Sequence, residues 1–216
     1  MKKQGRYSTS GLVENQYMPG SKGKVLRNLL GVTAKKEIDR IETELLFEIT
    51  DQLLDEFDNT RQFSADDILE MHRRWLGSVY EWAGKYRQVK MSKGDFMFAA
   101  PAYIPQLMVN FERQLLAKYT PCIFKSRQEI VLALAIVHTE LVLIHPFREG
   151  NGRIARLLAI LMALQAGLPL LDFSGFDKER QEEYFAAIQN GLDRNYKPMI
   201  KIFTDIIARS LQVYEE

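Results

Sequence analysis

The chain has 216 residues, of which 46% are hydrophobic and 26% charged. That is the balance of a water-soluble globular domain with a sizeable core. A net charge of +1 leaves no field to draw nucleic acid or an anionic membrane. The single cysteine, Cys122, excludes an intrachain disulfide framework and fits a reducing, cytoplasmic setting.

Residues 1–31 read as an irregular N-terminal arm, punctuated by Gly5, Gly11, Pro19, Gly20, Gly23 and Gly31. No apolar signal core follows the basic start Met1-Lys2-Lys3. Residues 32–216 read as one domain. Ile38, Ile41, Leu45, Ile49, Leu53 and Phe57 recur at helical spacing, so a helix is expected over 34–57, with its charges as a solvated face. Ser64 with Asp67 has the form of a capping box that opens a second helix. Ile68, Met71, Trp75, Leu76 and Val79 form its apolar stripe, with His72 packing at the edge.

Past Gly84, weak alternation over 86–91 and 95–98 predicts a β-hairpin, its turn at Ser92-Lys93-Gly94. A further helix starts near Pro105 and ends at Thr120-Pro121. Ser126 and Glu129 cap the next, whose apolar run through Ile144 is interrupted by His138, Thr139 and Glu140; no membrane span is expected. His138 reads as a satisfied core histidine. After Gly167 and Pro169, Asp177 caps a helix containing Tyr184, Phe185, Ile188 and Leu192. Pro198 opens the last helix. The expectation is all-α, about seven to nine helices with one small hairpin.

Between two apolar helices lies a polar knot, His145-Pro146-Phe147-Arg148-Glu149-Gly150-Asn151-Gly152-Arg153-Ile154-Ala155-Arg156. Burying such groups costs several kcal/mol, on the order given by transfer data, unless they are paired or bind something. Pro146 disfavours helix at His145, so the first helix ends there. Gly150, Asn151 and Gly152 open the second, where free N–H groups attract anions. Arg153 and Arg156 share one face of its first turns. Together these make a polyphosphate cradle. Glu149 beside it suits a divalent ion shared with phosphates. His145 is the group able to act as a base near neutral pH. A base, a metal carboxylate and a phosphate nest point to transfer of a phosphate-containing group.

The stretch resembles the Fic family signature, His-Pro-Phe-x-Asp/Glu-Gly-Asn-Gly-Arg-x-x-Arg, at every fixed position, with flanking resemblance from about Gly20 to Phe203. The resemblance implies a mostly helical domain that transfers AMP from ATP to a Ser, Thr or Tyr hydroxyl of a target protein. His145 would be the general base and Glu149 would hold Mg²⁺. Asn151 and the Gly150 and Gly152 backbone would bind phosphates, and Arg153 and Arg156 the β- and γ-phosphates. Tyr184 would sit near the adenine, and Phe147 would anchor the loop. The hairpin at Met91, Ser92, Lys93 and Gly94 is similar to the Fic flap, which holds a target segment by strand addition.

Ser10-Gly11-Leu12-Val13-Glu14-Asn15 is similar to the family's inhibitory pattern, Ser/Thr-x-x-x-Glu-Gly/Asn. There Ser10 and Glu14 would form an inhibitory turn, with Glu14 paired to Arg156. The motif alone leaves open transfer of another nucleotide moiety, removal of AMP, or a nucleotide-binding module without turnover. Expected partners are ATP and a target protein, with neither nucleic acid nor membrane; a homo-oligomer is left open.

Overall fold

Two helices rich in Leu, Ile, Val and Ala form the centre of the computed structural model, which describes residues 11–174 and 178–215. The first, α5 (Arg127–Ile144), begins at a capping box between Ser126 and Glu129. It is buried on nearly every side, through Ile130, Val131, Leu134, Val137, Leu141 and Ile144 among others. Each such aliphatic side chain contributes about 1.5–3 kcal/mol when fully buried. The second, α6 (Asn151–Gln165), packs directly on α5. The helix break between them follows from Pro146: His145 caps α5 in the left-handed region, φ 53° and ψ 58°.

Six further helical segments enclose this pair among the described residues. They are α1 (Lys35–Asp55), α2 (Ala65–Leu76), α3 (Ile104–Phe111), α4 (Ala117–Tyr119), α7 (Lys178–Asn190) and α8 (Lys197–Glu215). A π-helical turn, Glu112–Leu116, joins α3 to α4. Helices α3, α7 and α8 pack on α5; α2 lies between α1 and α6. The predicted Ser64–Asp67 capping box is present, each partner bonding the other's backbone. Asp177, expected to cap α7, and Ser10 lie outside the described residues. No described helix is long and apolar enough to cross a membrane.

The hairpin is shorter than expected, and its turn is displaced. Strands β1 (Ser92–Lys93) and β2 (Phe96–Met97) pair antiparallel, Ser92 with Met97 and Lys93 with Phe96. The turn is therefore Gly94-Asp95, and Ser92 and Lys93 belong to a strand. Gly94 takes φ 58°, a value that glycine adopts without strain. Residues 86–91 are not a strand because their donors are used elsewhere. Arg87 N donates to Pro146 O (2.8 Å), and Gln88 N donates to a Glu14 carboxylate oxygen (2.7 Å).

The described part of the arm follows the body closely. Val13–Asn15 makes one 3-10 turn, and Tyr17 bridges Leu26. Leu29 N donates to Val79 O, and Val25 is buried in the core.

Candidate active site

At its left-handed corner, His145 keeps its ring against the last turn of α5. Its Nδ1–H donates to Val142 O at 3.1 Å, which leaves the Nε2 lone pair available. The ring stacks on Phe98, just past β2, with centroids 3.7 Å apart. Burial, aided by the cations Arg87 and Lys93, pushes the imidazole pKa down to about 4. His145 is therefore neutral near pH 7, the state a general base needs.

Phe147 fixes the loop, as expected of an anchor. It is fully buried and stacks on His72 at 3.8 Å with planes only 6° apart. His72 is not at the edge of α2: it is fully buried. Its Nδ1 accepts from Gly84 N, so Nε2–H donates to Glu149 O at 3.1 Å. Its role is to support the motif from beneath. Helix α2 brings it there because His72 falls on the stripe of Ile68, Met71 and Trp75.

Asn151 also holds the loop. Its Oδ1 accepts from Phe147 N and its Nδ2 donates to Phe147 O, both at 2.8 Å. One amide N–H and one oxygen lone pair are thus used on the loop, so Asn151 braces it from the start of α6. The first N–H groups of α6 have no intrahelical acceptor and face outward with the helix dipole behind them. Gly150, with φ 83°, lies so close to α2 that an added Cβ would meet the Trp75 ring at 2.4 Å. At Gly152 an added Cβ meets nothing within 4 Å.

Arg153 stacks over Trp75, 4.5 Å from the ring centroid, and pairs with Glu149 Oε1 at 3.3 Å. Its closer partner is Glu42 of α1, at 2.7 Å. Glu42 is buried, and it also accepts from Tyr80 OH at 2.6 Å. The reading of the α1 charges as a solvated face is therefore corrected at this position. Arg156, near the Phe173 ring (6.0 Å), has no carboxylate partner among the described residues. Burial lowers its pKa, and the nearby Tyr184 opposes that.

Glu14 does not reach Arg156. Its buried carboxylate accepts from Gln88 N, and its carbonyl accepts from Arg148 Nε at 2.8 Å. The positive charges it faces are those of Arg148 and Arg87. The backbone around Val13–Asn15 follows the hairpin stem and so carries the side chain away from α6. The expected Glu14–Arg156 pair is not formed. Tyr184 directs its hydroxyl to His138 Nε2 at 2.7 Å, and His138 Nδ1–H donates to Ala155 O. His138 is thus the satisfied core histidine expected, and the Tyr184 hydroxyl is committed to it.

His145, Arg148, Glu149, Gly150, Asn151, Gly152, Arg153 and Arg156, with Met91 from the hairpin, surround one open cavity of about 220 Å³. No cluster of three or more His, Cys, Asp or Glu side chains exists among the described residues, so the protein alone would not cage a metal. One half-exposed carboxylate, Glu149, beside an anion cradle does fit a Mg²⁺ that takes its other ligands from phosphates and water.

Fold and site define a helical domain with an anion cradle at a helix start and a neutral histidine beside it. Residues 62–163 match the family described as Fic/DOC. Residues 62–163 therefore form a Fic/DOC domain within this chain. It is 33% identical over 154 residues to protein adenylyltransferase fic-1 of Caenorhabditis briggsae, covering 71% of this chain and 29% of that protein. It is 32% identical over 156 residues to protein adenylyltransferase Fic of Nematostella vectensis, covering 72% of this chain and 35% of that protein. The chain thus spans about a third of these relatives. Among solved structures, BepC of Bartonella tribocorum with bound AMPPNP superposes with a TM-score of 0.71 at 22% identity, over 91% of this chain and 97% of that one. The N-terminal Fic domain of a cell filamentation protein from Bartonella quintana gives 0.69 at 26% identity, over 88% and 92%.

Proposed function

We propose that the chain is a protein adenylyltransferase that moves AMP from ATP to a hydroxyl side chain of a target protein. The observation that carries this is the neutral His145, with Nδ1 committed to Val142 O and Nε2 free beside the α6 cradle. The names of the curated relatives agree with it, as does the AMPPNP bound to BepC.

His145 Nε2 takes the proton of the target hydroxyl. The oxygen attacks the α-phosphorus of ATP; the bond to the β-phosphate oxygen breaks, and pyrophosphate leaves. The N–H groups at the start of α6, with Arg153 and Arg156, hold the phosphates and stabilise the charge that develops on them. Mg²⁺, when bound, would be held by Glu149 with the phosphates and would supply neutralisation of the leaving group. The β1–β2 edge would hold the target segment. ATP as substrate and a single buried thiol, Cys122, favour the cytoplasm as the setting.

ATP labelled at the α- or the γ-phosphate, incubated with the chain and a cell lysate, tests the reading. Protein labelled from the α-phosphate supports AMP transfer. Label from the γ-phosphate alone would mean a kinase, and no protein label a binding module. Glu149→Ala should weaken nucleotide binding in Mg²⁺ several-fold and leave binding in chelator unchanged, on the order of one metal ligand lost.

A further inference from the structure

Arg87 is an almost fully buried arginine, 2% exposed, that forms no ion pair among the described residues. Its guanidinium is instead shared among three backbone carbonyls. Nε donates to His145 O at 2.6 Å, Nη1 to Val89 O at 2.6 Å, and Nη2 to Ala99 O at 2.7 Å. Its own N–H donates to Pro146 O. Val89 and Ala99 are the two legs of the hairpin stem, just outside the Phe98 N to Met91 O bond. One planar group thus ties both legs of the hairpin to the backbone of His145 and Pro146. Phe98, between Ala99 and β2, stacks on the His145 ring.

Burying a cation is costly, and here the cost is offset by donors to three carbonyls that an apolar side chain would leave unsatisfied. What the guanidinium adds is fixed geometry. Its rigid fork sets three carbonyls in one plane, which a lysine does not do. From the other side, Glu14 accepts from Gln88 N, the next residue in the chain, and faces the Arg87 charge. Arg148 of the motif loop donates to the Glu14 carbonyl. Arm, stem and loop meet at this point.

We propose that Arg87 is a positioning residue of the transfer reaction: it holds the target-binding hairpin in fixed register with His145, and Glu14 secures it from the N-terminal arm. This rests on the adenylyltransferase reading for its kinetic consequence. On this basis Glu14 supports activity, the opposite sign to inhibition.

The test uses the full chain carrying Arg87→Lys, Arg87→Gln or Glu14→Ala. In Arg87→Lys, amide hydrogen exchange over residues 89–99 should rise at least tenfold while that of α6 is unchanged. The turnover rate of AMP transfer should fall at least tenfold, with the ATP dissociation constant within threefold of wild type. In Arg87→Gln the acid limb of the rate profile should also move to higher pH, because one of the two cations facing His145 is gone and Lys93 remains. Glu14→Ala lies on the arm and should move exchange and transfer in the same directions, about threefold. Unchanged hairpin exchange in Arg87→Lys would overturn the proposal, as would faster transfer in Glu14→Ala. If Arg87→Lys does not fold, the Glu14→Ala result decides. If the wild-type chain transfers no AMP, the adenylyltransferase reading fails, and exchange alone decides whether Arg87 holds the hairpin.

Discussion

Glu42 Oε2 lies 2.7 Å from Arg153 Nη2, linking the middle of α1 to the first turn of α6 across 111 residues of chain. The carboxylate is buried, while Arg153 stays partly open to the cavity. Tyr80 OH takes the other Glu42 oxygen, and Trp75 Nε1 donates to the Glu42 carbonyl. Arg153 is thus held by α1 and α2 before any ligand arrives.

Removing one partner of such a pair leaves the other charge partly buried without its match. Glu42→Gln and Arg153→Gln should each lower stability by about 1–3 kcal/mol, less than for a fully buried pair because Arg153 reaches solvent and Glu149. Urea unfolding of both single variants and the double variant gives the coupling. A value of about 1 kcal/mol or more is expected; additive losses would mean that the two groups act independently.

The two glycines of the cradle should respond in opposite ways. Gly150→Ala combines a positive φ with a Cβ against the indole of Trp75. Strain and the displaced ring together should cost about 2–4 kcal/mol. Gly152 is helical with open space at its Cβ. Gly152→Ala should leave stability unchanged or raise it by up to about 1 kcal/mol. Thermal melts of the two variants side by side check the contrast; equal losses would remove Trp75 as the cause.

How much of this was legible in the sequence depended on distance along the chain. The motif is contiguous, so His145, Glu149, Gly150, Arg153 and Arg156 could be read as one site from their spacing alone. Helix starts were legible where a capping box marks them, at Ser64 and Ser126. The groups that support the site come from elsewhere. Glu42 read as surface because charge on an amphipathic helix is ordinary. Its one signal was its place on the stripe of Ile38, Leu45, Leu46 and Ile49, where a carboxylate must find a partner. His72 gave the same signal among Ile68, Met71 and Trp75. Arg87 gave none, since its acceptors are backbone carbonyls of any sequence. The strand pattern over 86–91 misled because bonds to the Glu14 carboxylate of the arm and to the Pro146 carbonyl of the motif loop replaced pairing across the hairpin.

The buried histidines set an acid limit on stability. His72 and His138 are both pushed down to about 4, chiefly by burial, from an ordinary value of 6.5. Between these values the unfolded chain binds protons that the folded chain refuses. Their contribution is therefore full above about pH 6.5 and lost as pH falls toward about 4. Each amounts to about 2–4 kcal/mol on the scale of one pKa unit per 1.4 kcal/mol. Melting temperature should fall steeply over that window. His138→Gln, even if less stable near neutral pH, should show a shallower fall.

The same shift in His145 makes a kinetic prediction. A base must be unprotonated, so transfer should be flat from about pH 7 down to about pH 5 and decline as pH falls through about 4. Acid unfolding driven by His72 and His138 would overlap this decline, so rates must be taken as initial rates after a brief pH jump. A histidine of ordinary pKa would instead lose half its activity near pH 6.5, far enough away to resolve. His145→Ala removes Nε2 and with it the proton acceptor, and the rate should drop by a factor on the order of 10²–10⁴. The cradle of α6 backbone, Arg153 and Arg156 remains, so ATP affinity measured by calorimetry should stay within about threefold, less than 1 kcal/mol. A variant that kept full transfer would show that the proton goes elsewhere. One that lost ATP binding as well would show that His145 shapes the cradle through its left-handed corner and not through its ring nitrogen.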